Sequence, residues 1–197
     1  MTPDAKRLQA NLGLTQDGII GRATLRALFA RSGASPTLAG ELALSANVHF
    51  RRYGLLDSGL RLAHFMGQCA HESGGFRYME EIASGAAYEG RKDLGNTEPG
   101  DGRRYKGRGP IQLTGRANYR TFGRLLGLDF ESHPEMVAYP SVGLLVALAY
   151  WDERGLNALA DRDDLVGITR KINGGTNGIE DRRRLTARAK SLLGLAK

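Results

Sequence analysis

The chain has 197 residues, of which 41% are hydrophobic and 25% charged, and its formal net charge is +7. This is the composition of one ordinary globular domain, and it excludes disordered, collagen-like and coiled-coil classes. A single cysteine, Cys69, excludes an internal disulfide framework and a four-cysteine zinc site, and it reads as a small core residue. The cationic balance favours a polyanionic partner, whether nucleic acid, an anionic membrane or an anionic cell wall.

In chain order the pattern is mostly helical. Thr2 with Pro3 reads as a cap-and-proline start for a helix with Leu8 and Leu12 on one face. Thr15-Gln16-Asp17-Gly18 reads as a turn. Leu25, Leu28 and Phe29 predict a second helix over 23–31, stopped by Gly33. Ser35-Pro36 opens a third helix that runs towards Arg52 and stops at Gly54. Ser58 opens a fourth, which turns Leu62, Phe65, Met66 and Cys69 inward and ends at Gly74-Gly75. Residues 76–117 are glycine-rich and read as irregular, with short strands at most. Helices are expected again at about 118–126, 141–154, 164–172 and 180–193. The apolar run Val142 to Trp151 is too short to span a bilayer, which takes ~20 residues, and reads as buried helix. The N-terminus has no apolar core after its charges, so no secretory leader is expected. A helical frame around a glycine-rich stretch predicts a cleft, because functional groups gather on loops held by a rigid scaffold.

Four features carry candidate chemistry. They are His71-Glu72-Ser73-Gly74-Gly75; Glu81 within Tyr78-Met79-Glu80-Glu81; the run Tyr105 to Thr114 with Asn118-Tyr119; and Ile172-Asn173-Gly174-Gly175 followed by Asp181-Arg182. Two carboxylates can run acid–base chemistry if their environments differ, and inverting glycoside hydrolysis sets them roughly 6.5–9.5 Å apart. On one continuous helix Glu72 and Glu81 would lie about 13 Å apart on opposite faces. Gly74-Gly75 breaks that continuity and lets the chain fold back. Glu72 follows the apolar face of Phe65, Met66, Cys69 and Ala70, and partial burial there would suit it to be the acid. The bland reading of any such glutamate pair is a solvated surface. His71-Glu72 is not a zinc helix, since position 75 is glycine rather than histidine. Gly107-Arg108-Gly109-Pro110 lacks the spacing of a phosphate loop.

Taken together and in this order, these motifs resemble glycoside hydrolase family 19, from about residue 37 to the C-terminus. The family includes chitinases and bacteriophage endolysins that cut peptidoglycan. The resemblance implies a mainly α, lysozyme-like helical domain with a central cleft, and an inverting mechanism. It implies Glu72 as general acid, Glu81 as general base and Thr114 as a holder of the attacking water. Gln112, Asn118 and Asn173 match substrate-binding positions, Tyr105 and Arg108 fit structural or substrate-contact positions, and Arg182, grouped with the substrate-binding residues, matches an arginine near the catalytic carboxylates. Glu80 competes for the base role, with Glu89 and Asp101 as weaker competitors. Leu8 to Leu14 and the turn Asp17-Gly18-Ile19-Ile20-Gly21 resemble part of a peptidoglycan-binding domain. Residues 1–34 are therefore expected either as a truncated wall-binding module beside a catalytic domain over 35–197, or as two helices completing the main core.

The leading expectation is an endolysin that hydrolyses the β-1,4 bond between N-acetylmuramic acid and N-acetylglucosamine. It would accumulate in the host cytoplasm and reach the wall through a holin pore. The alternatives are a chitinase using the same machinery and a binding protein with a dead cleft. The expected partner is bacterial peptidoglycan; no nucleic acid, membrane insertion, metal or cofactor is expected, and the chain is expected to be a monomer.

Overall fold

The computed structural model describes residues 2–195. Cap chemistry explains where the chain turns helical. Helix α1 (Ala5–Leu12) starts two residues later than Thr2 predicts. The Asp4 carboxylate accepts the Arg7 N–H at 3.0 Å and places a negative charge at the helix's positive end. Helix α2 (Arg22–Ser32) stops at Gly33, whose φ of 119° only glycine adopts freely. Helix α3 (Pro36–Arg52) is capped by Ser35, which accepts from Leu38 N–H. Helix α4 (Gly59–Glu72) follows Ser58.

The middle of the chain is irregular, as its glycines predict. It holds a one-turn helix α5 (Asp101–Arg104), short 3-10 turns and two isolated antiparallel bridges, Glu80 with Arg108 and Arg108 with Leu113. Regular helix then returns as α6 (Arg116–Leu126), α7 (Pro140–Glu153), α8 (Leu156–Asp161), α9 (Leu165–Asn173) and α10 (Ile179–Leu192). Helix α8 was not anticipated: it starts at Gly155 with no side-chain cap to signal it. Among the described residues no helix is long and apolar enough to cross a membrane.

The core is organised around α4. Leu62, Phe65, Met66 and Cys69 are all buried, as their spacing predicts. Gly67 permits close packing on α10; a methyl group there would lie 2.8 Å from the Thr186 backbone. An aromatic spine crosses the molecule. It runs from Phe76 to Phe29, Phe50, Phe65 and Trp151, with successive ring centroids 5.1, 6.2, 5.6 and 5.4 Å apart.

The first two helices belong to this core. Leu8, Leu25, Leu28 and Phe29 are fully buried within the same hydrophobic cluster as α4 and α7. Buried Gln9 folds the following turn onto α1. Its amide donates to Asp17 Oδ1 at 2.6 Å and to the Ile19 carbonyl, and its oxygen accepts from Gly18 N–H. Asn11 reaches across the fold to donate to the Leu192 carbonyl at the end of α10.

Candidate active site

Helix α4 delivers Glu72 as its last residue, and the chain then reverses. Ser73, Gly74, Gly75 and Phe76 make the turn, the last three with φ of 59°, 80° and 59°. Buried Ser73 pins it by donating to the Cys69 carbonyl and accepting from Phe76 N–H. Phe76 holds a left-handed backbone that costs a non-glycine residue of order 1–3 kcal/mol. Its ring is wedged edge-on against Phe29, which fixes it there.

Glu72 does not sit in an apolar wall alone, as its sequence neighbours suggest. Arg182 on α10 donates to Glu72 Oε1 at 2.6 Å and to the buried Gln68 Oε1 at 2.6 Å. The third guanidinium contact is with the Asn177 carbonyl at 3.2 Å. Among the described residues nothing donates to Glu72 Oε2, so that oxygen is available to a ligand. Asn173, the last residue of α9, is exposed and shapes the same loop by donating to the Asn177 carbonyl. Arg182 was carried over as a substrate contact. Its side chain is 2% exposed and each of its three nitrogens donates to a group within the protein, so it is a positioning residue for Glu72.

Glu81 stands in a different setting. Its backbone pairs with Gly107, and Gly107 N–H donates back to Glu81 Oε2 at 3.1 Å. The Tyr88 hydroxyl donates to Oε1 at 3.1 Å. Burial first, then the Glu81 charge, push the Tyr88 hydroxyl above its ordinary value, so it stays a donor. Gly107 marks a point of convergence. A methyl group on it would lie 2.6 Å from Gln112 Oε1, 3.3 Å from Glu81 Oε2 and 3.4 Å from Thr114 Oγ1. The absent side chain thus leaves a space that three of the expected residues share. Gln112 holds a φ of 54°, a left-handed strain of the kind that clusters at functional sites. The Thr114 hydroxyl donates to the Gln112 carbonyl, which leaves its lone pairs free to accept. Asn118 braces the run by donating to the Thr114 carbonyl at 2.7 Å.

The competing carboxylates are all spoken for. Glu80 is ion-paired with Arg108 at 2.9 Å and Lys106 at 3.4 Å. Glu89 accepts the N–H groups of Gly100 and Gly102. Asp101 is locked to Arg116; burial pushes its carboxyl up, but the Arg116 guanidinium and the Glu98 and Thr97 N–H groups together hold it below its usual range.

Tyr105 and Arg108, expected as structural or substrate-contact residues, face inward. Tyr105 is 1% exposed, its ring tilted against Tyr119 and its hydroxyl donating to the Glu131 carbonyl. Arg108 is 7% exposed and spends its N–H groups on Glu80, the Arg104 carbonyl and the Tyr119 hydroxyl. Both hold the loop's shape, because a buried charge or phenol is stable only when partnered. The sequence reading missed Gln68, Tyr88 and the Gly107 N–H. Tyr88 is itself held by Asn96, which donates to the Tyr88 carbonyl and accepts Arg116 N–H. Among the described residues no cluster of His, Cys, Asp and Glu is arranged to hold a metal ion.

The fold is mainly helical, with one carboxylate at a helix end and another on an irregular loop. The comparisons sharpen this. A family model described as chitinase class I, of glycoside hydrolase family 19, matches residues 59–168. A glycosyl hydrolase family 19 domain-containing protein of Haemophilus influenzae is 34% identical, over 64% of this chain and 76% of that protein. An endochitinase of Arabidopsis thaliana is 39% identical, over 67% of this chain and 46% of the relative. The chain thus spans three quarters of the bacterial relative and less than half of the plant one. The fold matches chitinase C from Streptomyces griseus with a TM-score of 0.70, at 22% identity over 91% of this chain and 96% of that one. The chain belongs to glycoside hydrolase family 19 and is a glycoside hydrolase.

Proposed function

We propose that the enzyme hydrolyses the β-1,4 bond between N-acetylmuramic acid and N-acetylglucosamine in peptidoglycan, with inversion, as a phage-type lytic enzyme that reaches the wall after release through a membrane pore. The observation that carries the chemistry is the contrast between Glu81 and Glu80. The Glu81 carboxylate accepts from neutral donors, Tyr88 and the Gly107 N–H, and opens onto Thr114 and Gln112, while the Glu80 carboxylate is neutralised by two cations. Glu81 then takes a proton from the attacking water, whose position the Thr114 hydroxyl fixes by accepting its second hydrogen. Glu72 gives its proton to the leaving oxygen from Oε2, while Arg182 holds Oε1. The anomeric C–O bond breaks, the departing sugar leaves as an alcohol with that proton, and the water oxygen bonds to the anomeric carbon from the opposite face.

The net charge of +7 supports an anionic glycan over a neutral one. The names of the plant relatives favour a second reading, a chitinase acting on β-1,4 N-acetylglucosamine polymers. Digestion of purified peptidoglycan and of chitin oligomers separates them. New N-acetylmuramic acid reducing ends, identified by mass spectrometry and released as the α anomer, are expected. Cleavage of chitin oligomers with intact peptidoglycan would overturn the reading.

A further inference from the structure

The seam between α4 and α10 has two sides. Glu72 and Arg182 meet on one of them. Their sequence neighbours His71 and Asp181 meet on the other, with Nδ1 to Oδ2 at 2.7 Å. Behind that second pair lies a concavity of about 320 Å³, lined by Arg77, Arg184, Arg188, His71, Asp181 and the bare backbone of Gly75. Each guanidinium has one N–H engaged: Arg77 with the Gly74 carbonyl, Arg184 with Asp181 and Arg188 with the Arg31 carbonyl. A guanidinium carries five donors, so each keeps four to offer.

The negative groups that face this space are accounted for. Asp181 is shared between His71 and Arg184. The helix ends of α2 and α4 point their carbonyls here, but Gly33 and Ala34 N–H cap the first, and Ser73 and Gly75 N–H cap the second. The arginine charge is left over. At the floor, a methyl group on Gly33 would strike the Gly75 carbonyl at 2.7 Å, so the two backbones touch with no side chain between them.

We propose that this concavity binds a carboxylate of the stem peptide carried by the glycan strand in the cleft. The proposal rests on the peptidoglycan reading and deepens it. A helix pair is about 10 Å through, and three to four extended residues span roughly 10–14 Å. A peptide leaving the muramyl ring near Glu72 therefore reaches round the seam. Arginine is the side chain whose planar fork matches a carboxylate bidentately. A neutral chitin strand has no group to place there, so the site selects for substrate that carries peptide.

The test uses the full chain with Arg184→Gln and Arg188→Gln combined, both exposed and outside the cleft. Rates are compared on peptide-bearing glycan strands and on the same strands stripped of peptide by an amidase. The expected result is about tenfold lower kcat/KM on the first substrate and less than twofold change on the second. Equal effects on both, or none on either, overturn the proposal. A second measurement is independent of catalysis: the free stem tripeptide is titrated while the amide signals of His71 and Gly75 are followed by NMR. Saturable shifts in the wild type that vanish in the double variant support the site; no saturation overturns it. Saturable binding by an enzyme that fails to cut peptidoglycan would leave this site standing and remove the proposed function.

Discussion

The two carboxylates proposed as acid and base are held in opposite ways. Glu72 ends a buried helix and is gripped by a guanidinium that is itself 2% exposed. Glu81 lies on a glycine-rich segment paired by isolated bridges and is gripped by a phenol and a backbone N–H. One group is fixed by charge inside a rigid core, the other by neutral hydrogen bonds on a loop. The difference suits the division of labour. A proton donor must keep its place relative to the scissile oxygen, whereas a base must share its lone pairs with a mobile water.

The comparison is broken most severely by removing either carboxylate. Glu72→Gln is expected to lower kcat by ~10²–10⁴-fold with unchanged circular dichroism. Glu81→Gln should fall in the same range, and azide should rescue it in part by replacing the water. Glu80→Gln is the internal control. Its ion pairs are partly exposed, so activity should stay within a few-fold and stability within about 1 kcal/mol. An inactive Glu80→Gln beside an active Glu81→Gln would reverse the assignment.

The next largest effect lies on the charged side. Arg182→Met strands buried Gln68 and leaves Glu72 without its partner. A loss of about 2–4 kcal/mol in urea unfolding is expected, together with loss of activity. A variant as stable as the wild type would show that the ion pair contributes little to the core.

On the neutral side, Gly107→Ala inserts a methyl group 2.6 Å from Gln112 Oε1, next to Glu81 and Thr114. The expected outcome is about tenfold lower kcat with little change in melting temperature, since a misplacement of about 1 Å can cost up to 10²-fold. Thr114→Ala should be milder than either glutamate change, and Thr114→Ser milder still.

The smallest effect is a pH dependence of the scaffold. His64 is fully buried and accepts a place beside Asp163 at 2.6 Å, and Lys190 pairs with the same carboxylate. Burial pushes the His64 ring below 6.5 despite Asp163. The unfolded chain then takes up a proton before the folded one does, so stability is full above about pH 6.5 and falls as pH drops below it. Asp163 is held below its ordinary value by Lys190 and His64 against burial, so its contribution is lost only at lower pH still. Urea unfolding at pH 7, 6 and 5 should show a decline approaching about 1.4 kcal/mol per pH unit, and His64→Gln should flatten it.

The legible parts of this fold were those written locally. Ser35-Pro36, Gly33 and the apolar stripe of α4 each specify structure within a few residues. The start of α1 was misread because two capping residues compete within one turn, and the carboxylate of Asp4 wins. Short α8 carries no cap to read. In the site, motif order is what singles out Glu72 and Glu81, and two glycines made the helix break between them legible. The inward turn of Tyr105 and Arg108 was not legible, because their partners Glu131 and Tyr119 come later in the chain. Arg182 was placed near the carboxylates by resemblance, but its burial depends on a pairing across 110 residues.

That last separation has a consequence for synthesis. The helix that carries Glu72 leaves the ribosome long before the helix that carries Arg182. At 5–20 residues per second the intervening 110 residues take roughly 5–20 s. During that interval Gln68 and Glu72 wait beside an open groove where α10 will dock, and the acid is unsupported. A nascent chain is therefore inert until α10 has been made. A nonsense mutation anywhere before codon 182 should give no activity at all rather than a weakened enzyme, even though every other candidate site residue precedes that point.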